Sequence, residues 1–261
     1  INDTSIESFI KAQLTNEFNY PYEPEVMAAV AIAARTTAYY HINKNPNGLW
    51  HLNAKEVNYQ GCALIEPDSF SSKAVDETKN LVLMRHVQGE NSPFTAAWTE
   101  HSAGKTAAYH TIFRKDGKAP LIGCDAPHAF LDKKEAEWNY NISKNDFEKV
   151  FSLNNITAIE TFFDKSSEKV YAFRIKDAKG IKDISYFEMQ NRLGKEHIQS
   201  NELKVNLINQ QVSFKGFRKG HGVGICLYTA SAMAQNGDIA IKILNKFYPQ
   251  AFLMNLSAVN E

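Results

Sequence analysis

The sequence has no excess of charge of either sign, few cysteines and no long apolar run. Lysine plus arginine and aspartate plus glutamate each number 29, so no net field draws the chain to nucleic acid or anionic lipid. Three cysteines, Cys62, Cys124 and Cys226, are too few for a disulfide framework. The most apolar stretch, 26–34, is far shorter than the ~20 residues that cross a bilayer. The remaining composition is that of an ordinary globular chain.

The pattern of apolar residues predicts an α+β fold, with one domain over residues 1–261. Helices are predicted over 6–14, from Pro24 to about Ile42, from a cap at 143–146 to Leu153, over 223–235 and over 239–247. The predicted strands are 81–87 and 94–98 as a hairpin, 138–142, 156–163, 169–175, 184–189 and 212–217. We therefore expect a strand-rich middle with packed helices near both termini that line a groove. Residues 146–205 form a candidate small subdomain.

The segment 216–234, GFRKGHGVGICLYTASAMA, surrounds one histidine with four glycines. Glycine has no Cβ to block close approach of the backbone, and it tolerates positive φ. Such a turn can bring His221 and the backbone N–H groups of Gly222 and Gly224 close to a ligand. The helix that follows would add unpaired N–H donors. The alternative is a structural turn whose histidine bonds to the backbone.

This segment resembles the C-terminal signature of the SpoIID/LytB family of peptidoglycan-active proteins. The matching residues are 220–224, Ala230, Met233, Ala234, Gly237, Ile243-Leu244 and Phe247-Tyr248-Pro249. The family's Ser-Gln pair is Cys226-Leu227 here. Near the N-terminus, Glu17, Glu25 and Ala33-Ala34-Arg35-Thr36 resemble the family's first conserved helix and the glutamate before it. Further motifs between the two ends keep the family order, so the resemblance covers about residues 6–249.

The resemblance implies a protein that cuts the glycan strands of peptidoglycan. In a lytic transglycosylase, one glutamic acid protonates the glycosidic oxygen and then accepts the proton of the muramic acid 6-hydroxyl as a 1,6-anhydro ring forms. A muramidase that hydrolyses the same bond more usually needs two carboxylates. A third interpretation is a non-catalytic peptidoglycan-binding enhancer of an amidase, and the loss of Ser-Gln fits it.

Glu17 and Glu25 are the candidate catalytic acids, because both match glutamates of the family signature. Glu17 follows the first helix among Phe18, Tyr20 and Tyr22. Apolar neighbours disfavour the charged form of a carboxylate, which makes Glu17 the preferred acid. Glu25 is predicted in the first turn of a helix, where a carboxylate stabilises the helix dipole without any catalytic role.

The residues assigned to substrate binding are Arg35, Ser102, Gly104, Lys105, His221, Gly222, Gly224 and Tyr228. Arg35 would clamp a substrate carboxylate, although a buried arginine that satisfies loop carbonyls fits the sequence equally well. His221 would bind or orient the glycan beside the acid. The segment 102–106 matches the family's Ser/Cys-Gly-Gly-x-Thr loop and is expected to line the same groove. Tyr59, Trp98, Tyr109 and Tyr228 are candidate platforms for a sugar face.

No metal and no cofactor is predicted. His101, His110, Cys124 and His128 fit no strong zinc pattern. The resemblance implies glycan strands of peptidoglycan, with or without their peptides, as the ligand and a cell-wall amidase as a candidate partner. It also implies the extracytoplasmic cell envelope. Because the sequence begins at Ile1 rather than Met, removal of a signal or anchor before residue 1 is an expectation consistent with that location.

Overall fold

A computed structural model describes residues 2–54, 57, 59–62, 65–115, 118–128 and 137–259. The chain forms two units. Unit 1 comprises Ile1–Trp98, Gly117–Leu121 and Ala230–Glu261, and unit 2 comprises Thr99–Asp116 and Ile122–Thr229. Residues 146–205, the candidate subdomain, lie within unit 2.

Helices and strands alternate irregularly along the described residues, which confirms the predicted α+β class. The helices are α1 (Ile6–Glu17), α2 (Pro24–Lys44), α3 (Phe70–Glu77), α4 (Tyr109–Phe113), α5 (Lys144–Phe151), α6 (Tyr186–Leu193), α7 (Leu227–Gln235) and α8 (Ala240–Phe247), followed near the C-terminus by the 3-10 turn Leu256–Val259. The strands are β1 (Leu81–Val87), β2 (Glu90–Ser92), β3 (Trp98–Thr99), β4 (Glu137–Ser143), β5 (Ala158–Phe163), β6 (Val170–Asp177), β7 (Gly180–Ser185), β8 (Leu203–Ile208), β9 (Gln211–Phe217), β10 (Ile225–Cys226) and β11 (Phe252–Asn255).

Unit 1 is built around α2. Pro24 starts this helix, because the fixed φ of proline suits the first turn and its missing N–H is not needed there. The helix is buried on most faces, and its many alanines allow α1, α3, β1 and α8 to pack closely against it. Strand β1 lies between β11 and β2 in an antiparallel sheet.

Arg35 is the polar centre of unit 1. Its side chain is completely buried and forms a fork with Glu7, with Nε 3.0 Å from Oε1 and Nη2 2.7 Å from Oε2. The guanidinium also donates to the carbonyl oxygens of Val75 (3.0 Å) and Leu81 (3.1 Å). Arg35 therefore joins α1, α2, α3 and β1 from within the core. This arrangement is the structural alternative drawn from the sequence and not the predicted substrate clamp.

Unit 2 contains two antiparallel three-stranded sheets, β4-β9-β8 and β5-β6-β7. Helices α5 and α6 pack against them and complete a core rich in aromatic side chains. The largest members of this core are Trp138, Phe147, Phe151, Phe173, Tyr186 and Phe214.

Several local predictions differ from the structure. The hairpin partner of β1 is β2, not residues 94–98, and β1 also pairs with the distant β11. The predicted strand 184–189 is instead the end of β7 followed by α6, because the side chain of Ser185 caps the helix by accepting from the Glu188 N–H (3.1 Å). Strand β8 lies in a segment for which we predicted no element.

Across the portion of the chain that the structure describes, no helix combines the length and apolarity needed to cross a membrane.

Replacing Arg35 by alanine should destabilise unit 1 strongly. The substitution leaves the Glu7 carboxylate and two buried carbonyls without their donor, a loss of about 3–5 kcal/mol in the free energy of unfolding for a broken buried pair. Urea unfolding followed by circular dichroism measures the change.

Arg174 offers a matched control, because it forms the same fork with Asp183 (both distances 2.8 Å) but both side chains are about half exposed. Arg174→Ala should leave the urea midpoint close to that of the wild type, since exposed pairs contribute little. Equal effects of the two substitutions would contradict the central role of Arg35.

Candidate functional site

The glycine-rich segment and the predicted Ser102 loop lie against each other in unit 2. We call residues 99–107 loop A and residues 218–224 loop B. Three hydrogen bonds join them: His101 N–H to Lys219 O (3.2 Å), Gly222 N–H to Thr99 Oγ1 (3.1 Å) and Ala107 N–H to Gly222 O (2.8 Å). Two segments that are more than 100 residues apart in sequence are thus held together largely by backbone atoms.

The glycines of loop B make this close approach possible. Gly220 has φ +125°, and a Cβ added to it would lie 2.1 Å from Thr99 Oγ1. Gly222 has φ +65°, and its Cβ would lie 2.7 Å from Lys169 Cε. Both positions therefore require glycine for space as well as for conformation. These glycines are the sequence signal from which a close approach of the backbone in this segment was predicted.

A buried ion pair packs against loop B at Gly222. Lys169 Nζ lies 2.6 Å from Glu202 Oε2, with side-chain exposures of 2% and 10%. Next to this pair, Asn201 Nδ2 donates to the His221 carbonyl (2.9 Å). Lys169, Asn201 and Glu202 carry no sequence signal of this role, because none lies in a motif and their partners are distant in the chain. They fix the turn that carries His221.

His221 is neutral at physiological pH and presents a donor. Its Nδ1 accepts the Val223 N–H (3.2 Å), which assigns the ring proton to Nε2. The half-buried ring meets Phe113 edge to face, with 5.0 Å between the ring centroids. Burial lowers the pKa of His221 from 6.5 to about 4. The side chain can therefore donate a hydrogen bond through Nε2 to an uncharged acceptor such as a sugar oxygen.

Loop A carries a second histidine with the same local geometry. His101 Nδ1 accepts the Ala103 N–H (2.9 Å), again two residues further along the chain. The His101 ring lies 4.9 Å from that of Tyr228, and the Arg218 guanidinium lies 5.8 Å from the same tyrosine ring. The predicted platform residue Tyr228 is therefore half-buried and already in contact with two side chains. From the sequence, His101 was a candidate only for a metal ligand.

The other predicted residues of loop A differ in exposure. Ser102 is buried, and its hydroxyl has no hydrogen-bond partner within the part of the chain that the structure describes. Gly104 is also buried, and its carbonyl accepts the Ala126 N–H (2.8 Å). Lys105 is exposed, with its backbone bridged to Asp125. Of these three residues, Lys105 presents its side chain to solvent.

The two residues that replace the family's Ser-Gln pair lie in the core. Cys226 is completely buried and Leu227 is 3% exposed. Gly224, which precedes β10, has a positive φ and is buried. The side chains of Cys226 and Leu227 therefore pack in the core and offer no contact to a ligand. The polar groups of the site come from loops A and B.

Unit 1 gathers three glutamates around the connection between α1 and α2. Glu25 accepts the backbone N–H of Ala240 (2.6 Å), the first residue of α8, which has no capping side chain at Ile239. Glu23, which the sequence analysis did not consider, accepts from Ser231 Oγ (2.5 Å) and Gln235 Nε2 (2.6 Å). Burial alone would raise the pKa of Glu23, but these hydrogen bonds outweigh it and lower the pKa below its usual value. Both carboxylates therefore stabilise helix contacts within unit 1.

Glu17 ends α1 and its side chain is exposed. The predicted aromatic surrounding is wrong in detail. Phe18 is buried and packs edge to face on Tyr22 (5.8 Å), whereas Tyr20 is 81% exposed. Neighbours in sequence therefore do not remove Glu17 from water, because they turn toward the core or the solvent.

The predicted residues fall into separate groups. Glu17, Glu25 and Arg35 belong to unit 1, whereas the loop A and loop B residues and Tyr228 belong to unit 2. Among the described side chains, no three of His, Cys, Asp and Glu are grouped in a way that could hold a metal ion.

The low pKa of His221 predicts a pH-dependent contribution to stability. The unfolded chain binds a proton on this residue below about 6.5 whereas the folded chain does so only near 4, so the contribution is full above 6.5 and declines as the pH falls toward 4. Urea unfolding at pH 7 and pH 5 should show a smaller loss of stability in His221→Gln than in the wild type. His86→Gln, at an exposed histidine, serves as the control and should behave like the wild type. An unchanged pH dependence in His221→Gln would contradict the buried neutral ring.

Comparison with known proteins supports the resemblance drawn from the sequence. The family model described as stage II sporulation protein, SpoIID, matches residues 1–84. An uncharacterized protein of Brachyspira hyodysenteriae is 26% identical over 267 residues, which cover 100% of this chain and 70% of that protein. A protein of Bacillus subtilis named amidase enhancer is 26% identical over 289 residues, which cover 92% of this chain and 39% of the enhancer.

An uncharacterized protein of Chlamydia pneumoniae is 29% identical over 83 residues, or 31% of this chain. The long matches extend the similarity well beyond the segment that the family model covers. Together with the motifs in residues 6–249, they support the resemblance of this chain to the SpoIID family.

Proposed function

We propose that this protein acts on peptidoglycan at the cell envelope and cleaves its glycan strands as a lytic transglycosylase, with Glu17 as the general acid and base. Similarity to the SpoIID family model over residues 1–84 and to a protein named amidase enhancer supports a role in peptidoglycan processing. The cleavage reaction and the role of Glu17 are the further steps of the proposal.

The observation that carries the assignment is the different exposure of the three glutamates in unit 1, of which Glu23 and Glu25 are partly buried. Glu23 accepts hydrogen bonds on both of its carboxylate oxygens, and Glu25 accepts one from the start of α8. Glu17 is exposed at the end of α1. A general acid must come within hydrogen-bond reach of the scissile oxygen, so an exposed carboxylate is the better candidate, and the bound strand would exclude water from it and thereby favour its protonated form.

The hydrogen bonds that Glu23 and Glu25 accept also favour the transglycosylase over the muramidase. Hydrolysis usually uses a second carboxylate to activate water or to act as the nucleophile. Glu23 and Glu25 are the next carboxylates along the chain, and both are engaged within unit 1. A transglycosylase needs one acid: Glu17 protonates the glycosidic oxygen, and the resulting carboxylate accepts the proton of the muramic acid 6-hydroxyl as this oxygen attacks C1.

Unit 2 supplies groups suited to neutral sugars. His221 is an uncharged Nε2–H donor, and Lys105 offers a charged donor at the surface of loop A. Backbone hydrogen bonds between loops A and B hold these groups in place before a ligand arrives, which reduces the entropy lost on binding. We assign glycan contacts to these loops.

A second candidate function is that of a peptidoglycan-binding enhancer of an amidase. The similarity that favours it covers 92% of this chain, although the chain spans 39% of the relative that carries the name. In that case the loops would bind glycan, while a cell-wall amidase would cleave the wall.

Replacing Glu17 by glutamine should abolish glycan cleavage while the protein remains folded. Removal of a general acid and base typically costs about 10²–10⁴-fold in rate. The measurement is the release of soluble fragments from dye-labelled peptidoglycan, with intact and with peptide-stripped strands. Circular dichroism checks the fold.

Glu25→Gln is the matched control, because an amide oxygen can still accept the Ala240 N–H. It should retain most of the activity. If Glu25→Gln alone lost activity, the assignment of the acid would be wrong. If every variant and the wild type bound strands without cutting them, and stimulated an added amidase, the enhancer function would replace the enzymatic one.

A further inference from the structure

The connection between α1 and α2 in unit 1 presents an aromatic side chain to solvent. Residues 18–23 join the two helices, and Tyr20, near the middle of this segment, is 81% exposed. Its neighbours Asn19 and Pro21 are also exposed. An aromatic ring in water forgoes the burial by which such side chains usually stabilise a fold. Packing within unit 1 therefore does not account for a tyrosine at this position.

The backbone on both sides of Tyr20 is held by contacts to the interior. Before it, Phe18 is buried, and its ring meets that of Tyr22 edge to face with 5.8 Å between the centroids. After it, Glu23 accepts two hydrogen bonds from side chains of α7 (2.5 and 2.6 Å). The exposed residues 19–21 therefore lie between two fixed points of unit 1.

Pro21 restricts the conformation of Tyr20 further. The proline ring clashes with the residue before it when that residue is in the α region, so extended conformations are favoured there. Proline also fixes its own φ. The backbone that carries the Tyr20 ring is thus restricted before a ligand binds, which reduces the entropy lost on binding.

Tyr20 is close in sequence to the candidate acid. Glu17 is the last residue of α1, and its side chain is also exposed. The Cα atoms of residues 17 and 20 are at most about 11 Å apart, because three residues of fully extended chain span no more than that. A strand that reaches the Glu17 carboxylate can therefore also contact the Tyr20 ring.

The chemistry of a tyrosine side chain suits a sugar. One face of a pyranose ring carries C–H groups and is apolar, whereas its hydroxyl groups lie at the edge. An aromatic ring can pack flat on the apolar face, while the phenolic hydroxyl exchanges hydrogen bonds with water or with the sugar edge.

We propose that Tyr20 binds the glycan strand beside Glu17, by stacking its ring on the face of one sugar. The inference rests on the proposed function, because it assigns Tyr20 to the strand that Glu17 would cut. From the sequence, Tyr20 was only an apolar neighbour of Glu17. The stacked sugar fixes the strand relative to the carboxylate and helps to exclude water from it.

Isothermal titration calorimetry with soluble, peptide-stripped glycan strands tests this contact. Glu17→Gln is the parent protein, so that the strands stay uncut. Adding Tyr20→Ala should weaken binding about three- to tenfold, the range expected for the loss of one aromatic contact. Tyr20→Phe keeps the ring and should bind like the parent. Phe163→Ala is the matched control, since Phe163 is 50% exposed but belongs to unit 2, and it should also bind like the parent.

Cleavage by the protein that retains Glu17 gives a second measurement. Tyr20→Ala should raise KM for the strands by the same factor and leave kcat nearly unchanged, because stacking holds the substrate and the transition state alike. If the wild type cleaves nothing but Tyr20→Ala still weakens binding, the glycan contact stands and the cleavage reaction of the proposed function fails.

Three results would overturn the inference. The first is equal binding of strands by Tyr20→Ala and the parent. The second is an equal loss in Tyr20→Phe and Tyr20→Ala, which would assign the effect to the hydroxyl group and not to stacking. The third is binding of the isolated stem peptide that depends on Tyr20 without binding of the stripped strands, which would make Tyr20 a peptide contact.

Discussion

The close approach of loops A and B in unit 2 is the constraint on which the candidate site depends. Gly220 and Gly222 permit it, because a side chain at either position would collide with Thr99 or Lys169. The buried Lys169–Glu202 pair and the hydrogen bond from Asn201 then fix the turn that carries His221. With the loop fixed, the His221 ring is partly buried and stays neutral, so it offers a donor without carrying charge. The backbone contacts between loops A and B thereby fix the position of one neutral donor, the Nε2–H of His221.

In unit 1, the three glutamates and a cavity lie at opposite ends of helices α1 and α2. At one end, Glu23 and Glu25 bind α7 and α8, and Glu17 reaches solvent. At the other end, this cavity, which has apolar and aromatic lining residues, opens between α1, α2 and residues 49–54, 57 and 59. Arg35 lies in the core between them, where Glu7 and two carbonyls satisfy it. Its burial explains why an arginine that resembles a ligand clamp in sequence acts as a structural residue.

Local sequence signals predicted the parts of the fold that depend on local interactions. Pro24 and the apolar periodicity identified α2, and the glycines around His221 identified loop B. The predictions were wrong where contacts between residues that are distant in sequence determine the local structure. The partner of β1 is β11, some 170 residues away, and no pattern within 81–98 reveals it. Ser185 and Glu188 did carry a helix-cap signal, which the apolar run over 184–189 obscured. The roles of Glu23, Lys169 and Asn201 could not be predicted, because their partners are 20 or more residues away.

The central claim is that one exposed carboxylate is sufficient for cleavage, and the products formed in ¹⁸O-labelled water test it most directly. Mass spectrometry of glycan strands digested by the wild-type protein should show fragments that end in 1,6-anhydro-muramic acid and contain no ¹⁸O, because the attacking oxygen comes from the sugar itself. Reducing ends that carry ¹⁸O would show that water is the nucleophile and that a second catalytic group is required. That result would contradict the single-carboxylate mechanism.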